Sequence, residues 1–131
     1  MDPDTLKCDA TGFGDWHGWD ASRTPWRVTV DYIWWNTEAA AVNAEKIADF
    51  VVGKGGVAST CQGYSLDGSQ CGGWALTTFA GAFAVTGIVV DQASVDKFFT
   101  DLKSVPNQGY FNEILYALYL TTAGKRFKPG C

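Results

Sequence analysis

Apolar residues recur along most of this chain at the three-to-four spacing that buries one face of a helix. Residues 1–22 are the exception. They are polar, glycine-rich and irregular, and Gly12, Gly14 and Gly18 block a long helix there. Thr24 followed by Pro25 predicts a helix start, with a hydroxyl cap and then proline at the first helical position. From there to about Asn36, Trp26, Val30, Ile33 and Trp34 form one stripe, and Arg27 and Asp31 fall four apart, close enough to pair. Thr37 predicts the cap of a second helix, with Glu38 in its first turn and Ala41, Ala44, Ile47, Ala48 and Val51 as its apolar stripe. Gly53 to Gly56 end that helix.

Residues 54–73 read as a long glycine-rich loop with a turn at Tyr64-Ser65-Leu66-Asp67-Gly68, and loops of that length in small domains are often functional. Trp74 to Gly87 is apolar almost all round, and its small residues Ala75, Ala80, Gly81, Ala82 and Ala84 suit a buried helix with close neighbours. Its β-branched residues keep a buried strand as the alternative. Residues 92–103 predict a short amphipathic helix through Val95, Phe98, Phe99 and Leu102, broken by Pro106 and Gly109. Tyr110 to Ala123 predicts the last helix, with Ile114, Leu115, Leu118 and Tyr119 inward and Gly124 as its stop. The expectation is an all-α fold of five helices in consecutive antiparallel pairs. No repeat is visible at the residue level, but the rhythm fits a stack or toroid of helical hairpins.

Composition narrows the function classes. At 131 residues the chain fits one domain or a piece of one. Hydrophobic residues make up 47 %, enough for a core, while aromatics at 15 % with six tryptophans exceed what a small core needs, so some rings should line a groove or surface. The net charge of −4 argues against nucleic acid, which calls for a basic stripe. Lys125, Arg126 and Lys128 are the one basic cluster, and they suit a helix C-terminus. No apolar run reaches the ~18 residues of a membrane span. Met1-Asp2-Pro3-Asp4 does not open a signal peptide, so for an exported protein the signal is expected to be removed or to lie outside this sequence.

The four cysteines, at positions 8, 61, 71 and 131, allow three pairings. Cys61 and Cys71 bracket the turn-rich loop and are the best disulfide candidates, with Cys8–Cys131 the pair that would remain. Zinc is the rival reading. The absence of a C-x-x-C pair and the single histidine, His17, speak against it, so neither metal nor another cofactor is expected. An even cysteine count leans towards an oxidising compartment.

The densest chemistry lies in Trp19-Asp20-Ala21-Ser22-Arg23-Thr24-Pro25-Trp26-Arg27, followed by Asp31, Tyr32, Trp34 and Trp35. A carboxylate between an indole and a guanidinium suits a polysaccharide cleft: the ring stacks on a sugar, the carboxylate handles a proton or a water, and the cation orients it. This stretch resembles glycoside hydrolase family 8, which contains endoglucanases, chitosanases, lichenases and xylanases. Tyr64-Ser65-Leu66-Asp67-Gly68, Thr78-Phe79-Ala80-Gly81-Ala82-Phe83-Ala84-Val85, and Gly109-Tyr110-Phe111-Asn112 with Leu115-Tyr116-Ala117-Leu118 resemble further segments of that family. The specific part is Asp20-x-x-Arg23-x-Pro25-Trp26-Arg27.

The resemblance implies an (α/α)6 barrel, of which residues 1–131 would be the C-terminal portion of the catalytic domain, and inversion at the anomeric carbon. It implies Asp20 as general base, Arg23 as its accompanying arginine, and Trp19 as a sugar contact where tyrosine is more usual, which keeps the stacking face and drops a hydroxyl. The family's general acid is a glutamate from the N-terminal half, with no counterpart here. The chain alone is therefore expected to be inactive unless the missing half joins it, and an incomplete toroid would expose an apolar helix face. The implied substrate is a β-1,4-linked polysaccharide such as cellulose, and the implied location is extracellular.

Each assignment has a plainer alternative. Asp20 could cap the nearby helix, and Arg23 could be a structural ion pair. Trp16, Trp19 and Tyr110 are the candidate sugar-binding rings, whereas Trp26, Trp34 and Trp35 read as packing residues and Trp74 is unassigned. His17, in a glycine-rich loop without a second histidine or a cysteine near, reads as structural. Asp31 reads as the partner of Arg27, and Glu113 and Asp67 are the remaining stand-ins for an acid, without a motif behind either. The alternative at the level of function is a non-catalytic carbohydrate-binding helical domain, and a plainer one is a small helical domain with a disulfide and no sugar chemistry.

Overall fold

One helix is buried from end to end, and the other described helices are arranged around it. In the computed structural model, residues 16–124 are described. Gly12, Gly14, Cys8, Cys131 and the Lys125–Arg126–Lys128 cluster lie outside the described residues. The elements are β1 (Trp16–His17), α1 (Thr24–Trp35), α2 (Glu38–Gly53), a 3₁₀ turn (Val57–Ser59), β2 (Tyr64–Ser65), α3 (Thr77–Val85), α4 (Gly87–Val90), α5 (Gln92–Leu102) and α6 (Tyr110–Ala123). The described residues are mostly helical, as the spacing of apolar positions predicts, and α4 is a single turn that five helices did not include.

Every residue of α3 is buried, and it touches α1, α2, α4, α5, α6 and the 3₁₀ turn. Its small side chains permit this. At Gly81 an added Cβ would run into the ring of Tyr119 in α6, with Cε2 at 2.8 Å. The main core joins Ala48 and Val51 of α2, Phe79 and Phe83 of α3, and Phe98 and Leu102 of α5, while Ala82 and Val85 pack with Leu115 and Tyr119 of α6. Tyr119 also donates its hydroxyl to the carbonyl of Thr78 at 2.9 Å, and Trp26 of α1 donates Nε1 to Thr122 Oγ1 of α6 at 2.9 Å.

Several local expectations are corrected. Thr24 is the first residue of α1 rather than its cap. Arg23 holds the cap position, and no side chain caps that end. Thr37 sits at the cap of α2 without a side-chain hydrogen bond. The side-chain cap is Asp91, whose Oδ1 accepts from the Ser94 N–H at 2.7 Å to start α5. The stripe of α2 is rotated so that Ala40, not Ala41, is fully buried. In α6, Ile114 faces outward and Thr122 takes the inward place. Trp74 is not part of a buried helix. The chain is still extended at Leu76, and α3 begins only at Thr77. The strand alternative for this segment falls with it. Arg27 and Asp31 do not pair; among the described residues the ion pair is Lys97–Asp101, at 3.0 Å on α5. α1 stops where Asn36 turns left-handed, at φ 53°, and donates its N–H to the Tyr32 carbonyl.

Candidate functional site

The segment carrying Asp20 is held at both ends. Ahead of it, β1 pairs antiparallel with β2, Trp16 opposite Ser65 and His17 opposite Tyr64. Behind it, the buried Ser22 donates Oγ to the Trp19 carbonyl at 2.8 Å, and the Thr24 N–H donates to the Ala21 carbonyl at 2.9 Å. A tight turn therefore carries Trp19 and Asp20 directly into α1.

Trp19 is 51 % exposed. Its ring meets Phe79 edge-on with centroids 5.0 Å apart, and Phe111 lies 6.4 Å away. Phe79 belongs to the first turn of α3 and Phe111 to that of α6. The two helix starts are tied together by short side-chain bonds, Thr78 to Asn112 at 2.6 Å and Thr77 to Asn107 at 2.8 Å. Tyr110, 80 % exposed, opens α6 beside Phe111. Trp19 and Phe111 thus meet beside the starts of α3 and α6, with Asp20 and Tyr110 their neighbours in sequence. Trp16, 41 % exposed, stands on β1, three residues before Trp19. In the sequence, Phe111 stands only within the segment Gly109-Tyr110-Phe111-Asn112. Its place against Trp19 is set by the Thr78–Asn112 link, which local spacing does not reveal.

The structure separates two side chains that the sequence pairs. Asp20 is exposed, and no hydrogen bond or ion pair to it is found among the described residues. Arg23 turns inward instead. Its Nε is sealed from solvent without a hydrogen-bond partner, and its charge acts on Tyr119. Burial raises the Tyr119 phenol far above its ordinary value, and the nearby guanidinium only partly opposes that. No ion pair joins Arg23 to the Asp20 carboxylate among the described residues.

The loop after α2 forms a second feature. Cys61 and Cys71 are joined by a disulfide with their Cα atoms 5.8 Å apart. Within it, Asp67 accepts from the Ser65 hydroxyl and from the backbone and hydroxyl of Ser69. These donors pull its carboxyl down to about 2, led by the Ser65 hydroxyl. A group that is ionised at every ordinary pH cannot donate a proton as an acid, which removes Asp67 as a stand-in. Glu113 is exposed in the first turn of α6. Gly68, at φ 70°, lets the turn lie on Phe50, whose Cε2 would be 2.9 Å from an added Cβ. Lys54 fastens the same turn by donating Nζ to the Gly68 carbonyl at 2.9 Å while lying 5.1 Å over the Phe50 ring.

Between this loop, β1 and α2 lies a cavity of about 320 Å³, lined mainly by His17, Ile47, Phe50, Tyr64, Leu66 and Phe83. The His17 ring lies 5.6 Å from that of Phe83, and its Nε2 is buried without a partner. Burial holds its pKa below the ordinary histidine value, so it is neutral at pH 7. Asp20 does not line this cavity. Among the described residues no group of three or more His, Cys, Asp or Glu side chains gathers as a metal site, and no helix is long and apolar enough to cross a membrane.

Comparison with known proteins adds what geometry alone does not. No protein-family model matches the chain. The chain is similar to endoglucanases. It is 31 % identical to Endoglucanase C of Ruminiclostridium cellulolyticum over 117 residues, covering 85 % of this chain and 25 % of that protein. It is 27 % identical to an endoglucanase of a Bacillus species over 128 residues, covering 92 % of this chain and 27 % of that one. Endoglucanase 2 of Ruminiclostridium josui is 31 % identical over 115 residues, with 85 % and 25 % covered. The similarity runs along most of this chain, which spans about a quarter of the length of the curated relatives it matches.

Proposed function

We propose that this chain is part of an inverting, endo-acting glycoside hydrolase of family 8, and that it supplies the general base for cleavage of a β-1,4-linked glucan such as cellulose. The observation that carries the reading is the similarity to endoglucanases along 85–92 % of the chain. The site supports it in kind. Asp20 is open to solvent, as a carboxylate that must reach a water requires, and the half-exposed Trp19 beside it offers a stacking face. In an inverting reaction the base takes a proton from water attacking the anomeric carbon while a second carboxylic acid protonates the leaving oxygen, the two carboxyl groups standing ~6.5–9.5 Å apart. Asp20 fills the first role. A glutamate from the part of the catalytic domain that this chain does not span fills the second, so the chain alone is inactive. Arg23, whose Nε is buried without a partner, orients the base only once its guanidinium reaches the Asp20 carboxylate. The Cys61–Cys71 disulfide fits export to an oxidising compartment.

The test is Asp20→Asn in a catalytic domain containing this chain. Loss of a positioned general base lowers turnover by about 10²–10⁴-fold, with oligosaccharide affinity retained. Turnover within a few-fold of the parent rejects the assignment. A second reading, a non-catalytic carbohydrate-binding helical domain, is favoured by the exposure of Trp16, Trp19 and Tyr110. It predicts cello-oligosaccharide binding, followed by Trp fluorescence, and no reducing-sugar release even after the N-terminal half of the barrel is added.

A further inference from the structure

Trp74 is 90 % exposed, the most open of the large apolar side chains among the described residues. An indole shown to solvent in this way needs an explanation, and loose chain is not one. Three residues before it, Cys71 is bonded to Cys61. The Gly72 N–H donates to the Gly63 carbonyl at 2.9 Å, and the Gln62 N–H to the Gly73 carbonyl at 3.3 Å. Three residues after it, Thr77 begins α3 and donates to Asn107. The ring stands between two hollows. One, of about 440 Å³, is lined with Ser59, Thr60, Gly72 and Gly73. The other, of about 280 Å³, is lined with Ser104 and Pro106.

Its position in the fold is specific. Trp74 precedes the start of α3, whose Phe79 supports Trp19. The same helix start is fastened to the segment that opens α6 with Tyr110 and Phe111. The chain thus runs from Trp74 through the α3 start, which is hydrogen-bonded to Asn107 and Asn112, to Phe79 beneath Trp19. In the flanking hollows the exposed Ser59 offers its hydroxyl to a sugar, and the exposed Ser104, which donates to the Asp101 carbonyl, can still accept, whereas Thr60 is buried and donates to the Val57 carbonyl; the indole face matches the apolar C–H face of a pyranose.

We propose that Trp74 is a remote stacking subsite, binding a pyranose unit of the same saccharide chain beyond those held near Trp19; this rests on the carbohydrate reading above. Long oligosaccharides reach both rings and short ones do not. The side chain is so exposed that Trp74→Ala leaves the fold intact.

The test compares the parent chain, Trp74→Ala and Trp19→Ala by titration calorimetry with cellobiose and cellohexaose. The expected result is that Trp74→Ala weakens cellohexaose about tenfold, equivalent to roughly 1.4 kcal/mol, and scarcely changes cellobiose, while Trp19→Ala weakens both. Cellohexaose should also shield from acrylamide an indole that is missing in Trp74→Ala. If Trp74→Ala binds cellohexaose as the parent does while Trp19→Ala does not, the remote subsite is wrong and the carbohydrate reading stands. Equal losses for both sugars in Trp74→Ala also overturn the remote position. Unchanged sugar binding with reduced self-association would make Trp74 a polypeptide contact and overturn the proposal. A parent chain that binds neither sugar overturns both readings.

Discussion

Replacing Gly81 by alanine tests whether α3 and α6 are packed as closely as the structure describes. Gly81 lies inside a fully buried helix, and a Cβ there would overlap the edge of the Tyr119 ring. The ring has no slack. It is wholly buried, and its hydroxyl is tied to the Thr78 carbonyl at 2.9 Å. Making room means parting the two helices or pushing the ring off its acceptor. Overpacking of this kind costs about 1–3 kcal/mol, and a lost hydrogen bond adds about 0.5–1.5 kcal/mol. Alanine returns about 1 kcal/mol through its better helix propensity. The net expectation is a loss of roughly 1–3 kcal/mol, with the packing and hydrogen-bond costs outweighing the propensity gain. For a domain of this size, at about 4 °C per kcal/mol, Tm falls by roughly 4–12 °C. Thermal melts followed by far-UV circular dichroism read this directly. Tyr119→Phe is the internal control: it should destabilise the parent and add little in the Gly81→Ala background, where the bond is already broken. A Gly81→Ala protein melting at or above the parent temperature refutes the close approach.

The disulfide and His17 give two further predictions. Opening the Cys61–Cys71 bridge by double substitution to serine frees a loop with a sequence separation of 10, and chain-entropy reasoning puts the cost at about 2.7 kcal/mol, measurable as a lower urea midpoint. A midpoint unchanged by the double substitution counts against that loop being ordered by the bridge. His17 is held below its ordinary pKa near 6.5 by burial, so the unfolded chain binds its proton first as pH falls. The stability that its neutral form supports is complete above about pH 6.5 and is lost as pH drops towards the lowered folded value. His17→Gln should flatten that part of a stability–pH curve, and an unaltered slope would mean the imidazole is not buried as described.

Periodicity and glycine placement alone determined that the chain is helical and where α1, α2, α5 and α6 run. These are local properties: a 3.6-residue repeat and a chain break are written in neighbouring residues. The facing of individual side chains is not local. Ile114 and Thr122 are both compatible with the outer edge of the α6 stripe, and only contact with α3 and α1 turned Thr122 inward to meet Trp26. Arg23 and Asp20 are close in sequence, but the backbone turn at Trp19–Ser22 leaves Asp20 exposed and Arg23 Nε buried, with no ion pair between them among the described residues. Trp74 reads as apolar, and a local pattern places it in the buried helix. The cross-links between residues 61–63 and 71–73 hold its backbone out of that helix and leave the ring in solvent. The candidate site shares this dependence. The sequence marks Trp19, Asp20 and Tyr110 one by one, but it took α3, touching Trp19 and tied to the first turn of α6, to bring Trp19 near Phe111, the neighbour of Tyr110. Residues far apart along the chain meet there because helix packing is decided by the shapes of several elements at once.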